Sequence, residues 1–380
     1  MELNGIELPT LRVASESEMI EIRDRLEKRL PFSCAVQGTL DIMLRYNRMR
    51  ESSVYHDGKS SLVVLIAKDT QTGAKSLSLF WDMNKEDEKV IFQQLSNLPG
   101  EWVEPFFFYA TPYTLAEKVI EMIQKGQLGN KTLAGEAPIK RVQLYQITSV
   151  ENNTPKVPEG FEMRGLEEKD TEYCYDVWPY KFIMSLETYR RVIKTMPGYA
   201  IVRRKDKSQQ DPENTGGQLL RANQGEIITQ TVPENVGSQL LRANQDEIIT
   251  QTVPENAERQ LLRANLDEII TQTVPENAGR QLLRANQDEI ITQTVPGEGP
   301  VAWTHLSVFN TFGNTFTIPK FRGLGLAKVV TTTLADRLVG ESGRAFSYVD
   351  DDNIASIKLH EKVGFIKQSC EMGWVMYKKL

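Results

Sequence analysis

The stretch FTIPKFRGLGLAKVV, Phe316–Val330, runs from a threonine-rich, β-prone segment through a proline to Gly323 and Gly325, then into alanine, lysine and valine. A helix that starts at such a corner leaves its first N–H groups without internal partners, at the positive end of its dipole and with no side-chain bulk above them. An anion can dock there, and phosphate is the usual one. Glycine at a strand-to-helix corner also simply permits a tight turn, so the surrounding chain decides between the two readings.

Outward from the corner, the pattern predicts a helix over Gly325–Val339, a strand over Ala345–Val349, a helix over Ile354–Lys362 and strand material to the end. Upstream it predicts strands at Val301–Val308 and Asn314–Ile318 and, before a long interruption, a strand at Phe161–Leu166, helices at about Glu168–Val177 and Ser185–Thr195, and a strand at Tyr199–Arg204. This is a mixed α/β sheet whose glycine corner joins its fourth strand to its third helix. Residues 1–150 form a second α/β region: SEMIEIRDRLEKRL places Met19, Ile22, Leu26 and Leu30 at helical spacing, SLVVLIA reads as a buried strand, and TLAEKVIEMIQKGQLG as a helix ending at glycine. The polar segment Thr148–Gly160 has the composition of a linker, so the expected domains are 1–150 and 158–380, the second interrupted at 207–297.

That interruption is a tandem repeat in which QLLRAN recurs at Gln218, Gln239, Gln260 and Gln281. Each unit has few apolar residues to offset the ordering entropy of about 1–2 kcal/mol per residue, which favours a flexible or weakly ordered insertion. A small β-array and a dedicated binding module remain open. If the flanking strands pair as an antiparallel hairpin, the repeat replaces its turn.

A second block sharpens the corner's meaning: after the strand RAFSYV comes NIASIKLHEKVGF, Asn353–Phe365. Together the two resemble the GNAT superfamily of acyl-CoA-dependent N-acyltransferases. Arg322, Gly325 and Ala327 match its R/Q-x-x-G-x-G/A corner, and Asn353, Ser356, Lys362, Gly364 and Phe365 match its later block, with His360 where tyrosine is usual. Within that superfamily the chain is similar to the glycine N-acyltransferase family through VWPYKF (Val177–Phe182), GPVAW (Gly299–Trp303), FTIPKFRGLGLA and FSYVDDDN (Phe346–Asn353). The resemblance implies acyl transfer from acyl-CoA to the amine of glycine or another small amino acid. Acyl-CoA is then a co-substrate, with no permanently bound cofactor and no metal.

The resemblance further implies that the fourth and fifth strands splay, so that Phe316, Thr317 and Ile318 pair with the amide-bearing arm of coenzyme A. The pyrophosphate rests on Arg322, Gly323, Leu324, Gly325, Leu326 and Ala327, and Asn353 and Ser356 contact the arm from the opposite wall. The family's glutamate base falls, counting back from Arg322, on Thr311, and no Asp or Glu occurs between Gly299 and Ala335. Histidine is the side chain suited to fill the gap, because it exchanges protons near neutral pH. His360, in the place of the family's proton donor to the thiolate, and His305, as a base, are the catalytic candidates; each also reads as a core residue. Trp178-Pro179-Tyr180 reads either as an aromatic lid over the acceptor pocket or as a helix cap, and Arg190, Arg191 and Lys194 as carboxylate partners or a solvated face.

A net charge of −6 gives no basic footprint for nucleic acid or an anionic membrane, and the longest apolar runs fall short of the roughly 20 residues a membrane span needs. Isolated Cys34, Cys174 and Cys370 argue against a disulfide framework or metal cluster. The acidic first thirty residues show no presequence, whereas the resemblance points to mitochondria; a cytoplasmic location is the alternative. A catalytically silent acyl-CoA-binding protein and an interaction scaffold built on the repeat are the competing expectations.

Overall fold

A computed structural model describes residues 2–3, 6–7, 10–46, 51–69, 71–73, 75–98, 106–128, 139–151, 155–178, 180–204 and 299–377. All of these belong to one compact unit formed by Met1–Arg204 and Ile291–Leu380. The tandem repeat lies outside the described residues.

After a two-stranded pair of β1 (Glu2–Leu3) and β2 (Ile6–Glu7), the chain runs through the same series of elements twice. The first pass is β3 (Arg12–Val13), α1 (Glu16–Glu27), α2 (Cys34–Arg45), β4 (Glu51–His56), β5 (Val63–Lys68), β6 (Lys75–Phe80), α3 (Glu88–Ser96), β7 (Phe106–Pro112), α4 (Tyr113–Gln124) and β8 (Ile139–Ile147). The second is β9 (Phe161–Gly165), α5 (Thr171–Asp176), α6 (Leu186–Thr195), β10 (Gly198–Arg203), β11 (Ala302–Leu306), β12 (Phe312–Thr317), α7 (Leu326–Ser342), β13 (Ala345–Asp350), α8 (Ile354–Val363) and β14 (Ile366–Tyr377). The elements expected after Phe161 all form. The caps explain several boundaries: Ser15 and Glu18 close a capping box on α1, the Ser185 hydroxyl accepts from Thr188 N, and α8 stops at Gly364, whose φ of 101° is left-handed.

Strand pairing then knits the two halves together. One sheet has the order β13-β8-β14-β7-β6-β5-β4-β3, the other β12-β11-β10-β9. The last strand of each half has crossed over: β8 lies beside β13 of the second half, β14 beside β7 of the first, and the two pair with each other. The largest core follows the exchange, packing Cys34, Tyr109, Val142 and Leu144 of the first half with Trp303, Val330 and Phe365 of the second. At its edge, buried Asp69 accepts from the backbone N–H and hydroxyl of Ser185, joining the β5 turn to the start of α6.

β10 and β11 are antiparallel neighbours, with Ile201 opposite Ala302 and Val301 N donating to Ile201 O at 2.8 Å. The repeat is therefore inserted at the turn of a hairpin.

Candidate active site

β12 and β13 run parallel and meet at a single bridge, Thr311 opposite Phe346. Beyond it they belong to different sheets, so the edge of β12 from Phe312 to Thr317 has no strand partner on that side among the described residues and is half-buried along its length. The register with β11 shifts between Trp303 and His305, and Asn314 has a positive φ of 43°; such an irregularity bends a strand away from its neighbour. The result is a wedge that opens toward the ends of β12 and β13.

The glycine corner stands at the wide end. Gly323 and Gly325 have φ of 83° and 77°, and a Cβ built on either would meet nothing within 4 Å. Backbone conformation, not crowding, demands glycine here, and the space above it is open. Gly325 is the N-cap of α7 and, among the described residues, no side chain caps that helix, which leaves its leading N–H groups without a side-chain partner there. Leu326 is buried and anchors the helix, whereas Leu324 is exposed. Arg322 Nε donates to Thr317 O at 3.2 Å, and its guanidinium lies over the Phe316 ring.

The expected contacts of β12 need one correction. Ile318 N donates to Val301 O at 2.9 Å, so this N–H faces β11 and is committed to the sheet. Neighbouring residues of a strand point their backbone groups to opposite sides, which leaves Thr317 as the member of the trio facing the wedge. Its hydroxyl is buried without a hydrogen-bond partner among the described residues.

On the opposite wall, the Asn353 side chain accepts from Ser356 N at 3.1 Å and caps α8, a structural duty the sequence pattern did not separate from ligand contact. His360, one turn on, is buried among Tyr145, Phe312 and Phe365. Its Nδ1 lies 2.7 Å from Ser356 O, and a carbonyl only accepts, so Nδ1 carries the proton. Nε2 is then a buried lone pair with no partner among the described residues. Burial pushes the imidazole pKa down, against the opposing bond to Ser356. The expected donor to a thiolate is thus, at rest, an acceptor.

His305 is placed in the core, not in the wedge. Nδ1 bonds Leu306 O at 2.9 Å and Nε2 lies 3.1 Å from the Tyr189 hydroxyl, which itself takes Asn314 Nδ2 at 2.9 Å. Both ring nitrogens are used, and burial, outweighing the Leu306 bond, lowers the pKa to about 4. That withdraws it as a base and makes it a strut holding the β12 irregularity against α6. Thr311, where the base was sought, shares its hydroxyl with Ser307 and Tyr109 at 3.0 and 3.2 Å.

The α5–α6 segment touches both strands that bound the wedge, and on the β12 side Asn314 Nδ2 donates to Cys174 O at 2.9 Å. Trp178 stacks on Tyr189, and the Tyr180 hydroxyl donates to Asp350 Oδ2 at 3.1 Å. Arg190 and Lys194 pair with Glu187, Glu172 and Glu168 as a solvated face. Sequence reasoning missed Asp350 and its partner Lys140, whose Nζ is 2.6 Å from Oδ2. The signal was present in the alternation of Tyr348 and Asp350 within FSYVDDDN, but Lys140 belongs to the other half of the chain. Among the described residues no cluster suits a metal ion, and no helix is long and apolar enough to cross a membrane.

Residues 300–375 match the family described as FR47-like protein. The fold is similar to that of a Drosophila protein solved by crystallography, with a TM-score of 0.62, 14% identity, and 97% of this chain and 99% of that one covered. A GCN5-related N-acetyltransferase from Kribbella flavida (TM-score 0.42, 8% identity, 90% and 96% covered) and a tandem GNAT protein from the clavulanic acid biosynthesis pathway (0.44, 10%, 98% and 98%) also align. No curated protein matches the chain by sequence. The architecture is mixed α/β, with the FR47-like match confined to its C-terminal part and a further α/β region preceding it.

Proposed function

We propose that the chain is an acyl-CoA-dependent N-acyltransferase whose acceptor is glycine or another small amino acid. One observation carries the reading: a strand edge left without a partner leads straight into a helix N-terminus with no side-chain cap and open space above its glycines. A pantetheine arm has amides to pair with that edge, and a pyrophosphate suits uncapped N–H groups. The residues present fit the coenzyme: Thr317 for the arm, Gly323–Ala327 for the pyrophosphate with Arg322 beside it, and Ser356 on the far wall. The FR47-like match and the resemblance of the VWPYKF and FSYVDDDN blocks support an amine acceptor; the amino-acid choice rests on the latter alone.

In the reaction the amine nitrogen attacks the thioester carbon, the C–N bond forms, the C–S bond breaks, the nitrogen loses a proton and the sulfur gains one. We assign that traffic to His360, whose Nε2 lone pair takes the amine proton and, as imidazolium, returns one to the sulfur. Thiol release from acyl-CoA, measured across a panel of amines, tests the activity. His360→Phe is expected to lose about 10²–10⁴-fold in kcat while coenzyme affinity holds. Thr311, standing where a carboxylate base was sought, favours a second reading: a silent acyl-CoA binder, which predicts coenzyme binding without thiol release for any amine.

A further inference from the structure

The Asp350 carboxylate is half used. Lys140 Nζ and the Tyr180 hydroxyl both donate to Oδ2, at 2.6 and 3.1 Å. Oδ1 is buried and has no hydrogen-bond partner among the described residues. A buried acceptor left unpaired costs about 1–3 kcal/mol, so this oxygen is the half of the carboxylate still able to receive an N–H or O–H.

Its surroundings define which. Asp350 ends β13, the wall of the wedge opposite β12, and shares a strand face with Tyr348 and Phe346, the residue at the bridge. The Tyr180 and Trp374 rings lie edge to face with centroids 5.2 Å apart, and Trp374 is paired in register with Lys140 on the neighbouring strand. The Tyr180 hydroxyl on Oδ2 brings that ring to the carboxylate, and an ammonium or amine group is attracted by a carboxylate and by an aromatic face alike. Lys140 adds the complementary half: its ammonium has three donors, and its side chain is 31% exposed. A ligand carrying an amine and a carboxylate a few ångströms apart would lay one group on each member of the pair.

We infer that Asp350 and Lys140 are the specificity-determining pair for the acceptor, Asp350 Oδ1 taking the amine and Lys140 Nζ the carboxylate of a free amino acid. This rests on the acyltransferase reading and adds to it that the first half of the molecule, through β8, supplies the group that selects amino acids over simple amines.

The test is equilibrium binding to the full chain, by saturation-transfer NMR and calorimetry, with and without saturating coenzyme A. The probes are the twenty protein amino acids, glycine first, with glycinamide and methylamine as ligands lacking the carboxylate. Amino-acid binding is expected to weaken at least tenfold in Asp350→Asn and in Lys140→Met, with coenzyme affinity unchanged. Glycinamide binding should respond to Asp350→Asn but not to Lys140→Met. Equal amino-acid binding by parent and variants overturns the inference, as does a parent that binds coenzyme but none of the twenty. A parent that fails to bind coenzyme A overturns the acyltransferase reading instead, and the measurements made without coenzyme still decide the role of the pair.

Discussion

The two halves of the chain have the same order of elements and opposite fates at the equivalent place. In the second half, β12 and β13 touch at one bridge, β12 is half-buried throughout, and an uncapped helix follows two left-handed glycines. In the first, β6 and β7 are paired from Lys75 opposite Phe106 to Leu77 opposite Phe108, and the Ser78 hydroxyl donates to Tyr109 O just beyond. Ser76–Phe80 and then Trp81 are buried, so side chains of that half fill the gap. The corner after β6 reads DMNKEDE, Asp82–Glu88, and the Asp87 side chain caps α3 by accepting from Lys89 N at 2.9 Å. Carboxylates where an anion would sit, and an N-terminus already satisfied, leave no seat for a phosphate. Topology alone does not decide whether a corner can take an anion; what matters is which strand edge is left unfinished and which helix is left uncapped.

The first half nonetheless contributes to the site, because each half completes the sheet of the other. Removing residues 1–157 deletes β8 from between β13 and β14 and exposes the shared core. The segment 158–380 alone is expected not to fold, its loss comparable to the whole stability of a domain, about 5–15 kcal/mol. Circular dichroism and amide dispersion in NMR check this. A cooperative melt from the isolated segment would show that the strand exchange is dispensable and that the halves are independent.

A buried histidine in each half offers a second contrast. For His305 the folded pKa of about 4 lies below the unfolded value near 6.5. Between those values the unfolded chain binds more protons, so stability is lost as pH falls from about 6.5 to 4, by about 3 kcal/mol, and no further below that. His56 is also depressed, by burial first and by Arg12, against the pull of Glu18. Denaturant melts across this range should flatten more in His305→Gln than in His56→Gln. An unchanged slope in His305→Gln would place that ring in contact with water.

The glycine corner sharpens the comparison directly. Gly325→Ala forces a side chain into a left-handed conformation, at about 1–2 kcal/mol, and puts a methyl group into the open space above the helix terminus. Acyl-CoA affinity is expected to fall about tenfold, read by calorimetry on folded protein. The matching change in the first half, Asp87→Ala, removes only a cap, about 1 kcal/mol, and should leave coenzyme affinity untouched. If both variants bind as the parent does, the corner is a turn and nothing more.

Much of this was legible in the sequence, and the parts that were not share a cause. Period and cap residues gave every element after Phe161, because they act within a few residues: Ser185 starts α6, Gly325 starts α7, Gly364 ends α8. Two motifs in order located the wedge and its corner. The exchange of β8 and β14 was not readable, since a strand's pattern records that it is buried and not which neighbour buries it. For the same reason Lys140, some 210 positions before Asp350 in the chain, gave no sign of its partner. His305 looked chemically able on its strand; only packing against Tyr189 and Leu306 commits both its nitrogens.

The smallest effect is expected from deleting the repeat. Arg203 pairs with Phe161 on one side of the sheet, and Ile201 pairs with Ala302 on the other, so β10 is held by both neighbours up to the point where the repeat departs. The returning chain is fixed by Val301 N to Ile201 O and by Ile318 N to Val301 O. The hairpin thus has its own hydrogen bonds on both strands and needs only a turn. Loop-closure entropy grows by about 0.6 kcal/mol per doubling of length, so replacing residues 207–297 with a short glycine-containing turn should raise stability by a few kcal/mol at most. Because β11 runs antiparallel to β12, the join lies at the same end of the sheet as the glycine corner, with Ala302 opposite Thr317. Any change in turnover should therefore appear in KM for acyl-CoA and leave kcat alone. A deletion variant that fails to melt cooperatively would make the repeat part of the fold; one that melts normally but loses kcat would make it part of the chemistry.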